Sequence, residues 1–172
     1  MDSYIVEGKN ISFQYQDSSE GIQDIHFSLK PGETILVTGN SGSGKSTFLK
    51  CLNGLIPRVV EGKLQGEILL NHQNTKDMSM AEISRHISSV FQNPRSQFFT
   101  TNTTSELVFS MENYGCKKDM MEAQLQKVTA LLKIQKLLNR DIFQLSGGER
   151  QMVAIASAMM LGQKIILLDE PS

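Results

Sequence analysis

The sequence predicts an α/β domain built around a parallel sheet, and three observations predict it. Strand-like runs alternate with helical periodicities over the middle and end of the chain. The glycine-rich stretch "GNSGSGKST" at 39–47 sits between a strand pattern and a helix pattern. The closing "KIILLDE" is an unbroken apolar run ending on two acids, the pattern of a strand buried on both faces.

The elements follow in order. "YIVEGKNISFQY" (4–15) has β-branched and aromatic residues in partial alternation, which reads as one or two strands broken at Gly8. "IHFSLKPGETILVTG" gives a second alternating run, a Pro31-Gly32 turn and a short apolar strand from Thr34 to Thr38. "KSTFLKCLNGL" places Phe48, Leu49, Leu52 and Leu55 on one helical face, and the helix should end near Gly54, before Pro57. "GKLQGEILLN" is another short strand, and "SMAEISRHISSVFQNP" a helix leading into the strand "ISSVFQ". From Ser105 to Leu138 the periodicity is helical, with Leu125, Val128, Leu131 and Leu132 at apolar positions and a break around Asn113–Lys118. "SGGERQMVAIASAMMLG" is a helix whose Ala154, Ala156 and Ala158 permit close packing, stopping at Gly162. The mostly helical stretch 93–140 interrupts the alternation and reads as an inserted subdomain.

Composition narrows the functions. At 172 residues the chain can bury the core of one domain, and its 40% hydrophobic and 20% charged fractions are those of an ordinary globular protein. A net charge of −1 gives no field favouring nucleic acid or an acidic membrane surface. Cys51 and Cys116 match no metal spacing and read as small apolar residues in a reducing compartment. The start "MDSYIVEGKN" is not a secretory signal, and no apolar stretch approaches the roughly 20 residues that span a bilayer. Any membrane role should be peripheral.

Three motifs carry chemistry. "GNSGSGKST" fits G-x-x-x-x-G-K-[ST]: Gly39, Asn40, Ser41, Gly42, Ser43 and Gly44 turn backbone N–H groups inward around anionic oxygens. Lys45 adds a cation toward the β- and γ-phosphates, Ser46 offers a hydroxyl to Mg²⁺, and Thr47 completes the loop. At the end of "IILLDE", Asp169 fits a Mg²⁺ contact through water and Glu170 fits the base that activates the attacking water. In "LSGGERQ" (145–151), Ser146 and Glu149 form a capping box, while Gly147 and Gly148 expose amides at a positive helix end. A second anion site in a chain that already has one needs a reason.

The reason lies in a resemblance. "GNSGSGKST", "LSGGERQ" and "IILLDE", in this order, resemble the ATPase subunits of ATP-binding cassette (ABC) transporters over essentially the whole chain. The resemblance implies ATP and Mg²⁺ as cofactors and a P-loop nucleoside triphosphatase (RecA-like) fold with a parallel-sheet core. An N-terminal antiparallel β subdomain would cover 1–30, the core 31–92 and 141–172, and the helical subdomain 93–140, which also presents the signature. It implies a head-to-tail dimer with a second ATPase subunit, in which Ser146, Gly147, Gly148 and Glu149 contact the nucleotide of the partner in trans. Tyr15 resembles the aromatic that stacks on adenine, and is otherwise a strand-edge aromatic. Gln92 resembles the glutamine that reaches Mg²⁺ and the attacking water, and is otherwise a solvated loop amide. "VFQNPRSQFF", with Gln97 as second glutamine, looks like the ATPases of energy-coupling-factor transporters and related cobalt or nickel importers, with Arg95 where an acid is frequent.

The resemblance further implies transmembrane partners bound through the Gln92–Gln97 region, a place at the cytoplasmic face of the membrane, and no nucleic-acid partner. The family pattern continues past Ser172 with a further aspartate and a histidine, so the chain is expected to be incomplete at its C-terminus and inactive by itself. A cassette ATPase acting on DNA or ribosomes is the alternative, opposed by the lack of sustained heptads. A binding-only module is another, opposed by Lys45 and Glu170.

Overall fold

The computed structural model describes residues 4–170, so Pro171 and Ser172 of the "DEPS" segment lie outside it. The chain divides into two compact units, Met1–Ile87 and Ser88–Ser172.

In the first unit, strands β1 (Val6–Tyr15), β2 (Gly21–Leu29), β3 (Gly62–Leu70) and β4 (Gln73–Asn74) form an antiparallel sheet in the order β2-β1-β3-β4. The β1 residues Val6 and Gly8 point inward at even positions, whereas Ile11 and Phe13 do so at odd ones. A strand of period two can change parity only by inserting a residue. That residue is Asn10, at φ 52, where the register slips against both neighbours. The break is therefore at Asn10 and not at Gly8. Gly8 stays in the ladder opposite Phe27, where a Cβ would meet the Phe27 ring at 2.3 Å.

Helix α1 (Lys45–Leu52) buries Thr47, Phe48, Cys51 and Leu52, with Phe48 set edge-on to Phe27 of β2. Burial pushes the Cys51 thiol up to about 12, consistent with an inert apolar role. The short α2 (Leu55–Arg58) follows Gly54 at φ 79, and α3 (Met80–Ser84) opens on a Ser79–Glu82 capping box.

The expected strand from Thr34 to Thr38 does not form. Ile35, Leu36 and Val37 are 45%, 84% and 39% exposed. An apolar β-branched run becomes a strand only where a neighbour completes its ladder. Among the described residues none pairs with it.

At the start of the second unit, β5 (Ile87–Val90), which begins on the last residue of the first, pairs with β6 (Ile165–Leu168). The Asp169 N–H donates to Val90 O, which sets the C-terminal ends of both strands side by side, as in a parallel pair. The expectation that β6 is buried on both faces fails on one of them. Ile165 is 5% exposed, but Ile166 and Leu168 are 38% and 42% exposed, because period two sends alternate residues to opposite faces.

Helices α4 (Thr103–Asn113), α5 (Lys118–Leu131) and α6 (Gly147–Met159) enclose a core of Leu107, Met111, Val128, Leu145, Val153 and Met160. The break between α4 and α5 falls where expected, with Gly115 at φ 67. Among the described residues, no helix is long and apolar enough to cross a membrane.

Candidate active site

The phosphate loop runs from β2's side of the first unit into α1. Gly42 and Gly44 stand at φ 80 and 91, a region L side chains enter only with strain, and Gly44 is the N-cap of α1. A Cβ at Gly44 would meet Ile22 Cγ2 at 2.6 Å, so the position demands glycine for space as well. The Lys45 ammonium donates to Gly39 O and Asn40 O at 3.0 and 3.1 Å, folded across the mouth of its own loop. The Ser43 N–H closes a turn on Asn40 O. Ser41 and Ser43 are exposed, and Ser46 begins the second position of α1.

Tyr15 reaches this loop by its hydroxyl, which hydrogen-bonds Thr47 Oγ1 at 2.8 Å, while its ring meets Phe13 edge-on at 4.9 Å. The ring is legible in the sequence as an aromatic upstream of the loop. The bond to the 8%-exposed Thr47 needs a strand and a helix to meet, which no motif encodes.

The second unit brings Gln92, Asp169 and Glu170 to the C-terminal ends of β5 and β6. Gln92 Nε2 donates to Glu170 Oε2 at 2.7 Å, across a sequence separation of 78. Glu170 is held at φ 45, an uncommon conformation for a non-glycine residue. Two further side chains shape this corner. Gln97 Oε1 accepts from Phe91 N–H, and its Nε2 donates to Ser89 O. Glu106, 3% exposed, accepts from the N–H groups of Phe99 and Thr100. In the sequence Gln97 is visible only as a second glutamine, and no motif marks Glu106. The available signal was a carboxylate in the first turns of a helix with no basic residue nearby to pair with it.

The signature opens α6 as its capping box predicts. Ser146 N–H and Oγ–H both donate to Glu149 Oε2, and Glu149 N–H donates to Ser146 Oγ. Those bonds hold the Glu149 carboxyl below its usual range. Among the described residues, beyond the helix's own backbone, nothing lies within 4 Å of a Cβ built on Gly147 or Gly148, and both are exposed. Neither has a positive φ. The fold of this chain does not need glycine at either place, although glycine in a helix costs about 1 kcal/mol relative to alanine.

The Ser46 hydroxyl in the first unit and, separately, the Gln92 amide oxygen and Asp169 carboxylate in the second are each hard oxygen donors of the kind Mg²⁺ takes. The left-handed Gly42 and Gly44 at the start of α1 and the lysine beside them fit a polyphosphate.

Residues 22–172 match the ABC transporter family. An ABC transporter ATP-binding protein of Treponema denticola is 46% identical over 164 residues, covering 95% of this chain and 33% of that protein. One from Pyrococcus abyssi is 38% identical over 169 residues, covering 98% of this chain and 60% of that protein. The chain thus spans 33% to 60% of the length of these relatives. Among solved structures, cbiO1 from Clostridium perfringens, part of the ABC transporter complex cbiONQ, matches with a TM-score of 0.85 and 26% identity over 98% of this chain and 66% of its own. Motif geometry, sequence and fold thus agree, and the chain belongs to the ABC transporter family, as a stretch of its ATPase domain.

Proposed function

We propose that the full-length subunit to which this chain belongs binds MgATP on the 39–47 loop and hydrolyses it to drive a membrane importer of the energy-coupling-factor type, one that takes up a vitamin or a transition-metal ion. The observation that carries the hydrolytic reading is the Gln92–Glu170 hydrogen bond at 2.7 Å. It fixes a carboxylate at a strand tip beside Asp169, where a base for an attacking water belongs. The backbone amides of 39–44 and Lys45 would hold the phosphates and offset charge as the γ-phosphoryl departs. Tyr15 would stack on adenine. Bound Mg²⁺ would neutralise phosphate charge, held by Ser46 directly and by Gln92 and Asp169 directly or through water.

The open backbone at Gly147 and Gly148 supports a partner that approaches this helix end, since among the described residues nothing crowds a Cβ there. In this reading Ser146, Gly147, Gly148 and Glu149 serve the nucleotide of a second ATPase subunit in a head-to-tail dimer. The place of cbiO1 in the complex cbiONQ supports transmembrane partners, which would bind near Gln92–Gln97 at the cytoplasmic face of the membrane.

The test is Glu170→Gln in the full-length subunit assembled with its membrane partners. Removal of a general base lowers turnover by about 10²–10⁴-fold, while MgATP binding should persist. Phosphate release and binding of a fluorescent ATP analogue read the two separately. Wild-type turnover in the variant would refute the role of Glu170.

A further inference from the structure

β5 has two edges. On one, Val90 O accepts from Asp169 N–H, so the end of β6 lies there. On the other, the groups flanking Val90 are both taken by one side chain: Gln97 Nε2 donates to Ser89 O at 3.2 Å, and Gln97 Oε1 accepts from Phe91 N–H at 3.1 Å. In a parallel ladder a neighbouring residue makes this same pair of bonds, to the C=O before and the N–H after the residue it faces. The Gln97 amide therefore stands opposite Val90 as a strand residue would.

This closes a loop on itself. The chain leaves the edge at Phe91, makes the 3₁₀ turn Pro94–Ser96, and returns at Gln97, whose own N–H donates to Pro94 O. Gln92 is the first residue past the held Phe91, and its amide lies on Glu170. The exit of the loop is pinned separately, by the buried Glu106 carboxylate on the N–H groups of Phe99 and Thr100. Charge-assisted bonds of that kind are strong, so the exit cannot slide to compensate for a loose entry. Phe91 and Gln92 are both exposed, and water can satisfy Phe91 N–H if Gln97 releases it. What Gln97 contributes is then position more than stability.

We infer that Gln97 is a positioning residue for hydrolysis: by holding Phe91 against the edge of β5, it sets the Gln92 amide on Glu170. The inference rests on the reading of Glu170 as the base. Gln97→Met in the full-length subunit keeps the length of the side chain and removes the amide. Hydrogen exchange at the Phe91 amide should accelerate about tenfold or more. kcat for ATP should fall by about tenfold or more, with the MgATP dissociation constant changed by less than about twofold. Added to Gln92→Ala, the substitution should cause no further loss, because both act through one contact. Unchanged Phe91 exchange, unchanged kcat, or a loss that adds to that of Gln92→Ala would each overturn the inference. If the Met variant does not fold, Gln97→Glu sets a carboxylate oxygen against Ser89 O, where no N–H is left to donate, and should likewise speed Phe91 exchange and lower kcat by about tenfold; wild-type exchange and kcat in that variant overturn the inference. Wild-type turnover in Glu170→Gln would instead remove the reading of the base, while Phe91 exchange still judges the Gln97 contact.

Discussion

The phosphate loop and the acid tip of β6 are built from different materials. In the loop the backbone carries the design: left-handed Gly42 and Gly44, the Ser43–Asn40 turn, and a lysine bonded to the carbonyls of its own loop. All of this comes from one short run of sequence. The tip depends on side chains from distant segments, with Gln92 and Glu170 separated by 78 positions. A site written in backbone conformation should fail as a unit when one φ is forbidden. A site written in side-chain bonds should fail one function at a time.

Gly44→Ala tests the first half of that contrast and should give the largest effect. A Cβ at φ 91 costs roughly 1–2 kcal/mol in backbone strain. The 2.6 Å approach to Ile22 Cγ2 adds overpacking, typically about 1–3 kcal/mol. Thermal unfolding should report a loss of about 2–5 kcal/mol, and equilibrium binding should report no MgATP affinity. A stable variant that binds nucleotide normally would mean that the loop tolerates another backbone path. By contrast, Glu170→Gln should remove turnover and spare both stability and binding.

The same contrast explains what the sequence made legible. The phosphate loop, the Ser146–Glu149 capping box and the α4–α5 break were readable because each is local, set by residues within a few positions of one another. Thr34–Thr38 was misread because its pattern is a strand pattern, yet a strand is a relation between two segments, and no described residue supplies the other. The sequence suggests a break in β1 at Gly8 because glycine is the usual breaker. Asn10 takes the left-handed conformation instead, and Gly8 is needed for the Phe27 ring. Gln97 was legible as a residue and not as a ladder partner, since its bonds depend on where the chain returns.

Tyr15 lies between the two kinds of site, a side chain from β1 bonded to the phosphate-loop helix. Tyr15→Phe removes the hydroxyl bond to Thr47 and keeps the ring. The expected loss is about 0.5–1.5 kcal/mol of stability, with nucleotide affinity nearly unchanged if the ring stacks on adenine. Tyr15→Ala should lower affinity as well. Equal affinities for the Phe and Ala variants would show that the ring contributes nothing to binding, and would leave Tyr15 as a tie between β1 and α1.

The smallest effect is expected at the start of α6, where backbone and side chain share one device. The backbone and hydroxyl bonds from Ser146 hold the Glu149 carboxyl below its usual range. A carboxyl whose folded value is depressed stabilises the folded state fully above its unfolded value. That contribution is lost as pH falls through the lower folded value. The loss should therefore begin below about pH 4.3, the usual position of glutamate, and continue to more acid pH. Glu149→Gln keeps an acceptor for the Ser146 N–H and hydroxyl but cannot titrate. Urea unfolding of both proteins between neutral and acid pH should show the wild type losing stability more steeply than the variant in that window alone. Both proteins carry the same other carboxylates, so their shared acid sensitivity cancels in the difference. Glu149 is only half-buried at a helix end, and solvent screens its interactions, so the divergence should be slight. Parallel curves throughout would mean that the capping box in the folded chain is matched by equally good bonding of Glu149 in the unfolded one.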